Sequence, residues 1–203
     1  MSHVDDIYHD VMLDIETLGL ENDAVVLSIG AVKFRLDTRD SQRTLDDPSR
    51  CFYAELDTED QQSRGRTITD STIEWWKAQS RKARRVFDSK EKEQSRDVVE
   101  RLGTFLSKVR RVWGNGNTFD NAIVKDLFKT YDVEYPVHYT GDLDLRTLTY
   151  VWNLLKKAAK RTVRPKVKFK GTAHHALDDA KSQVIEAQHM YSELKPGDLY
   201  KWQ

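Results

Sequence analysis

The chain has 203 residues, 38% hydrophobic and 33% charged, with 33 Lys and Arg against 33 Asp and Glu, which fits one ordinary globular domain and excludes a disordered tail. Its single cysteine, Cys51, excludes an intrachain disulfide and suits a reducing compartment. The opening MSHVDDIYHD has neither a basic leader nor an apolar stretch, and the longest nearly apolar run, AVVLSIGAV at 24–32, is too short to cross a bilayer, so the expectation is a cytoplasmic protein.

Taken in order, Tyr8 to Ile15 and Ala24 to Phe34 read as two strands joined by a turn rich in Gly, Asn and Asp, which predicts a hairpin. Cys51 to Leu56 reads as a third strand. Asp70 to Gln79 predicts a helix opened by a capping box of Ser71 and Glu74. Val98, Val99, Leu102, Phe105, Leu106 and Val109 recur at helical spacing, so 98–109 is a helix with one buried face. Arg111 to Asn115 is then a short strand, Phe119 to Tyr131 a helix, His138 to Leu145 a last short strand, and Arg146 to about Ala159 and Ala176 to Leu194 two further helices. Strands first, then strands alternating with helices, argue for one α/β domain with a central mixed sheet flanked by helices. Its expected span is 8–195, with 1–7 and 196–203 as short terminal extensions.

The charge is unevenly spread. Residues 1–60 hold fifteen Asp and Glu against five Lys and Arg, whereas Lys156 to Lys170 has eight basic residues and no acidic one. A smaller basic cluster, KAQSRKARR, runs from Lys77 to Arg85. An acidic centre with basic surroundings suits a metal-dependent enzyme acting on a polyanion, although any one basic run serves solubility equally well.

Asp14 and Glu16 lie two apart on an apolar strand, so both point the same way. Buried together they repel and lose hydration, and a divalent cation held between oxygen ligands relieves both penalties. Two more acidic places follow at element ends. Asp120 starts a helix after the loop GNGNTF, with Asn117 or Thr118 as its cap, and His174, His175, Asp178 and Asp179 crowd the start of the last helix in HHALDDA. Spacing leaves either histidine as a base and either aspartate as a ligand; helix geometry pairs His175 with Asp179. Four carboxylates on three elements, one histidine and a basic surround are the inventory for two metals handling phosphodiester chemistry.

Five ordered segments, VMLDIETLG, TIEWWKAQS, VWGNGNTFDN, DLRT and HHALDDAK, resemble the DnaQ-like 3′-to-5′ exonucleases of the DEDD class with a histidine. They are similar in particular to a phage and prophage branch with DexA-type and exodeoxyribonuclease VIII-like members. The resemblance covers about residues 10–195. It implies an RNase H-like fold, with Asp14, Glu16, Asp120 and Asp179 holding two Mg²⁺ or Mn²⁺ ions and His174, rather than His175, as the general base. It also implies nucleic acid as the partner, single-stranded 3′ ends above all, with DNA preferred to RNA and nucleoside 5′-monophosphates released.

By the same resemblance Thr17 and Leu18 would lie beside the terminal nucleotide, with Asn117 and Phe119 as further substrate-binding neighbours. Trp75 and Trp76 point about 100° apart on a helix, so one belongs in the core and the other is free to stack on a base; Trp76 is assigned to the substrate. Asp144 and Arg146 read either as a buried ion pair or as substrate contacts. A module that had kept the fold and lost catalysis would show a damaged ligand set, and here all five residues are present. A docking role toward a host partner is compatible as an addition. A homodimer would fit, although no periodic apolar seam demands one.

Overall fold

Alternation along one strand decides the architecture. In the computed structural model, which describes residues 8–156, 164–169 and 171–194, the strand β1 (Asp10–Thr17) is buried along nearly all its length. Val11, Leu13 and Ile15 join one hydrophobic cluster and Met12 joins another, so both faces are covered. Period two then puts Asp14 and Glu16 on the Met12 face.

β2 (Val26–Phe34) pairs antiparallel with β1, and β3 (Cys51–Leu56) antiparallel with β2. Four elements of one or two turns, α1 (Gln42–Leu45), a 3-10 turn (Pro48–Arg50), α2 (Thr58–Ser63) and α4 (Arg85–Asp88), surround the longer α3 (Asp70–Lys77), and a two-residue strand β4 (Lys92–Glu93) follows. Then come α5 (Ser95–Leu106), β5 (Arg111–Gly114), α6 (Asp120–Thr130), β6 (Asp142–Asp144), α7 (Leu145–Leu155) and α8 (Ala176–Glu193). The sheet order is β4-β3-β2-β1-β5-β6, with β5 parallel to β1 and β6 parallel to β5.

The first cluster packs α5, through Val98, Val99, Leu102 and Leu106, and α6, through Ile123, Val124, Leu127 and Phe128, on one side of the sheet. The second packs Ala180, Val184, Ala187 and Met190 of α8 and Leu145 of α7 on the other. This is the mixed sheet with helices on both faces that the pattern of elements predicts. No helix of the described residues is long and apolar enough to cross a membrane.

Several local expectations change. α3 starts at Asp70, so Ser71 falls inside its first turn; the N-cap is Thr69, without a side-chain cap bond, and Glu74 pairs with Lys77 at 2.6 Å. Of the strand expected over 138–145, only Asp142–Asp144 pairs, because His138 caps a 3-10 turn at Tyr139–Gly141. The helix expected to reach Ala159 is seen to Leu155, and 157–159 lie outside the described residues, as do 157–163 and 170 of the basic run. The short helices carry too few turns for a period to show in sequence.

Candidate active site

β1 delivers its two carboxylates just where its ladder to β2 breaks register, between Glu16 and Thr17. The turn that follows is tied down by main-chain bonds from Leu18 N to Val25 O and from Thr69 N to Leu18 O, both 2.8 Å. Trp76 Nε1 donates to Thr17 O at 2.8 Å, and the buried Arg66 donates to Ala24 O. Gln61 closes both polar groups of Val26, accepting from its N and donating to its O at 2.8 Å each. The carboxylates therefore sit on a strand end held from several sides, as a preorganised site needs.

Asp120 opens α6 beyond the β5 end. The expected side-chain cap from Asn117 or Thr118 is absent, because the turn is closed by the backbone: Phe119 N and Asp120 N both donate to Gly116 O. Asp179 sits in the first turn of α8. His175 caps that helix, its Nδ1 accepting from Asp178 N at 3.4 Å, and its ring stacks on Tyr53 with centroids 4.6 Å apart. Asp178 accepts from Thr172 N at 2.8 Å and so braces the preceding loop. His174 holds a left-handed backbone, φ +62°, uncommon for a residue with a side chain, and its N–H donates to Asp179 Oδ2 at 2.8 Å.

How close α8 comes to the sheet is set by Gly30, the β2 partner of Asp14. A Cβ on Gly30 would meet Leu177 N at 2.2 Å and the Ala176 carbonyl carbon at 2.3 Å. Only a bare backbone admits the helix there, and that approach brings Asp179 to the β1 carboxylates.

A cleft of about 460 Å³ collects Asp14, Glu16, Asp120, Asp179 and His174, with Trp75 and Phe119 in its lining. One ligand atom each from Glu16, His174 and Asp179 lie within 4.8 Å of one another. Burial pushes Asp14 well above the carboxylate range, and Asp120, Glu16 and Asp179 push it further. Burial, then Asp179 and Asp120, raise Glu16 to about 8, and burial raises Asp120 to about 7 against the opposing charge of Arg146. Asp179 is raised as well, by burial, while the His174 N–H opposes the shift. Gln183 Oε1, buried in the same lining, has no hydrogen-bond partner among the described residues. Mutually repelling oxygen donors around a polar space fit hard divalent cations, which would remove the repulsion and complete the unmet acceptors.

The structure thus groups His174, and not His175, with Glu16 and Asp179. It reverses the two tryptophans. Trp76 is 2% exposed, packed with Leu18, Val25 and Leu27 and spent on the Thr17 carbonyl, whereas Trp75 is 45% exposed and meets the His174 ring at 4.9 Å. Thr17 and Leu18 are buried and do not line the cleft, and Asn115 lines it in place of Asn117; Phe119 stands where the sequence expects it. Asp144 and Arg146 form no ion pair, since the Asp144 carboxylate accepts from the N–H groups of Arg146, Thr147 and Asn117. Sequence reading passes over Gln183 and Glu186, although both follow Asp179 at helical spacing, and Gln183 Nε2 donates to Asp14 Oδ1 at 2.7 Å.

Carboxylates from three separate elements, meeting at the carboxyl end of a central strand in a mixed sheet, define a DnaQ-like, DEDD-class 3′-to-5′ exonuclease with an RNase H-like fold. Within that class the chain belongs to the family described as the 3'-5' exoribonuclease Rv2179c-like domain, whose model matches residues 9–191. The exodeoxyribonuclease of Enterobacteria phage T4 is 24% identical over 198 residues, 87% of this chain and 86% of its own length. Among solved structures, the RNase domain of yeast Pop2 matches with a TM-score of 0.55 at 9% identity, over 93% of this chain and 79% of that one, which shows a common fold. The Mg²⁺- and Mn²⁺-bound form of S. pombe Pop2p matches at 0.49 and 11% identity, over 92% and 83%.

Proposed function

We propose that this exonuclease removes nucleotides one at a time from the 3′ end of a single strand, with Asp14, Glu16, Asp120 and Asp179 holding two Mg²⁺ or Mn²⁺ ions. The observation that carries this reading is the meeting of those four carboxylates with His174 in one cleft. Divalent cations supply Lewis acidity there, acidifying water and offsetting the charge that gathers on phosphate during an in-line displacement. His174 accepts the proton of the attacking water, a role that an imidazole beside the carboxylates is placed to fill. A water oxygen bonds to phosphorus as the bond to the upstream 3′-oxygen breaks, releasing a nucleoside 5′-monophosphate, and the departing oxygen takes a proton from solvent to leave a strand with a 3′-hydroxyl. Trp75, exposed beside His174, offers a face on which a base stacks, and Phe119 a second apolar surface. Gln183 orients Asp14. The catalytic unit is one domain over 8–195.

DNA is the preferred strand, supported by the likeness to the phage T4 exodeoxyribonuclease along most of the chain. An RNA strand is the second reading, favoured by the description of the family. The two differ at the sugar 2′-hydroxyl. Incubating the protein and D14A with 5′-labelled DNA and RNA strands, with and without Mn²⁺, tests the function and the sugar together. The expected result is a ladder that shortens from the 3′ end, needs the metal and is absent in the variant. Digestion from the 5′ end, or without metal, would overturn the reading.

A further inference from the structure

Two arginines share the cleft with the carboxylates, and both lie against one loop. Arg146, in the first turn of α7, is exposed, and its guanidinium lies on the backbone of Gly116: a Cβ there would stand 2.9 Å from Cζ and 3.0 Å from Nη1. Gly116 has φ +120°, a conformation that favours glycine, and a side chain there would displace the arginine from its place. The Arg146 guanidinium has no hydrogen bond or ion pair to a described residue. Arg164 donates to Asn115 Oδ1 and stands 3.5 Å from the carboxylate of Glu186, a buried residue of α8. Asn115 and Gly116 are neighbours in sequence, so the two guanidinium groups stand against adjacent residues of the β5-α6 loop, Arg164 by a hydrogen bond and Arg146 by proximity.

The order of the sheet gives this pair its direction. Trp75 and Trp76 meet His174, Trp76 packs on Leu27 of β2, and His175 stacks on Tyr53 of β3, on one flank of β1. Arg146 follows β6, and Asn115 and Gly116 follow β5, on the other flank. The cleft therefore has a tryptophan and imidazole side and a side that carries both arginines along with Phe119, with carboxylates between. A strand whose 3′-terminal linkage lies at the carboxylates presents one more phosphate next to it, on the upstream side. An arginine pair is the usual means of holding such a phosphate by its non-bridging oxygens.

We propose that Arg146 and Arg164 clamp the phosphodiester immediately upstream of the one being cut, and that Glu186 is a positioning residue that aims Arg164. This rests on the nuclease reading and adds a phosphate subsite to it. With a phosphate fixed one step upstream, the terminal linkage is brought to the carboxylates in register, and a strand that ends before that phosphate is held less well.

The test uses the full chain, Ca²⁺ as the cation, and matched 5′-labelled single strands of DNA and RNA, unmodified or with one neutral methylphosphonate at the penultimate linkage; binding is read by anisotropy. The neutral linkage is expected to weaken binding to the unaltered protein about tenfold, the scale of a charge-assisted contact. R146Q/R164Q is expected to lose the same factor on the unmodified strand and nothing more on the neutral one. R146Q alone leaves no buried partner behind and carries the test if R164Q unfolds. E186Q is expected to shrink the methylphosphonate penalty, which a merely structural role would not move. A penalty of equal size with and without the arginines would overturn the clamp. A protein that neither binds nor shortens either strand would instead overturn the nuclease reading beneath it.

Discussion

Two cavities meet at His174, and they are built on opposite principles. The smaller, about 460 Å³, gathers buried and half-buried carboxylates that burial drives upward, with repulsion from their neighbours adding to it at Asp14 and Glu16. The larger, about 1010 Å³, is walled by Arg81, Lys82, Arg85 and Lys90, all exposed, against acidic side chains such as Asp88 and Glu91. Water solvates the charges of the second, so they cost the fold little, whereas the charges of the first work against folding. The proposed chemistry falls where the fold tolerates that strain, not in the roomier of these two cavities.

The sharpest way to break the contrast is Asp14→Asn. Turnover should fall on the order of a thousandfold or more, since the proposed cation site would lose one of its four carboxylates. The same change should raise the melting temperature of the cation-free protein, because it removes a buried repelling charge. A variant that is both inactive and less stable in EDTA would contradict the account of the smaller cavity.

Next in size is His174→Ala, expected to lower turnover about a hundredfold or more while Mn²⁺ still shifts the melting temperature. His175→Ala should instead cost about 1 kcal/mol of stability through its helix cap, with a smaller effect on turnover. If His175→Ala proves the more damaging to catalysis, the base has been misassigned.

The pH dependence follows from the raised carboxyls. Burial pushes Glu16 up to about 8 and Asp120 up to about 7 in the folded chain, from ordinary values of 4.5 and 3.8. Between those limits the folded chain keeps protons that the unfolded chain has released. What these two groups contribute to stability without cations is therefore full below about pH 4 and declines as pH rises toward 8, by up to ~1.4 kcal/mol per pH unit for each group. Urea midpoints in EDTA across that range measure it, and Mg²⁺ at the alkaline end should restore what was lost. The smallest effect belongs to the larger cavity: Lys82→Gln with Arg85→Gln should raise KM about two- to threefold at low salt, with the difference fading as salt is added.

The sequence made the strand carboxylates legible because a period of two on a buried strand leaves them no other face, and β3 was found at its observed bounds for a similar reason. The tryptophans were not legible to the same degree. Adjacency fixes their mutual angle, but the Thr17 carbonyl, which needs a donor, decides which one turns inward, and that group lies 59 residues away. Arg164 was hidden in a run of like charges, and only its contacts with Asn115 and Glu186 single it out. The cap expected from Asn117 or Thr118 failed because the main chain had already closed the turn.

Gly30 bears on how such enzymes are lost. It carries no charge and does not line the cleft, yet its missing methyl group sets the gap between α8 and the sheet beside Asp14. A lineage that acquired a side chain at that place would keep every acidic residue and the histidine in order along its sequence while their meeting point came apart. Inventories of motif residues would count that descendant as a working nuclease. The more telling marker of a silenced copy is the helix-facing glycine on the neighbouring strand.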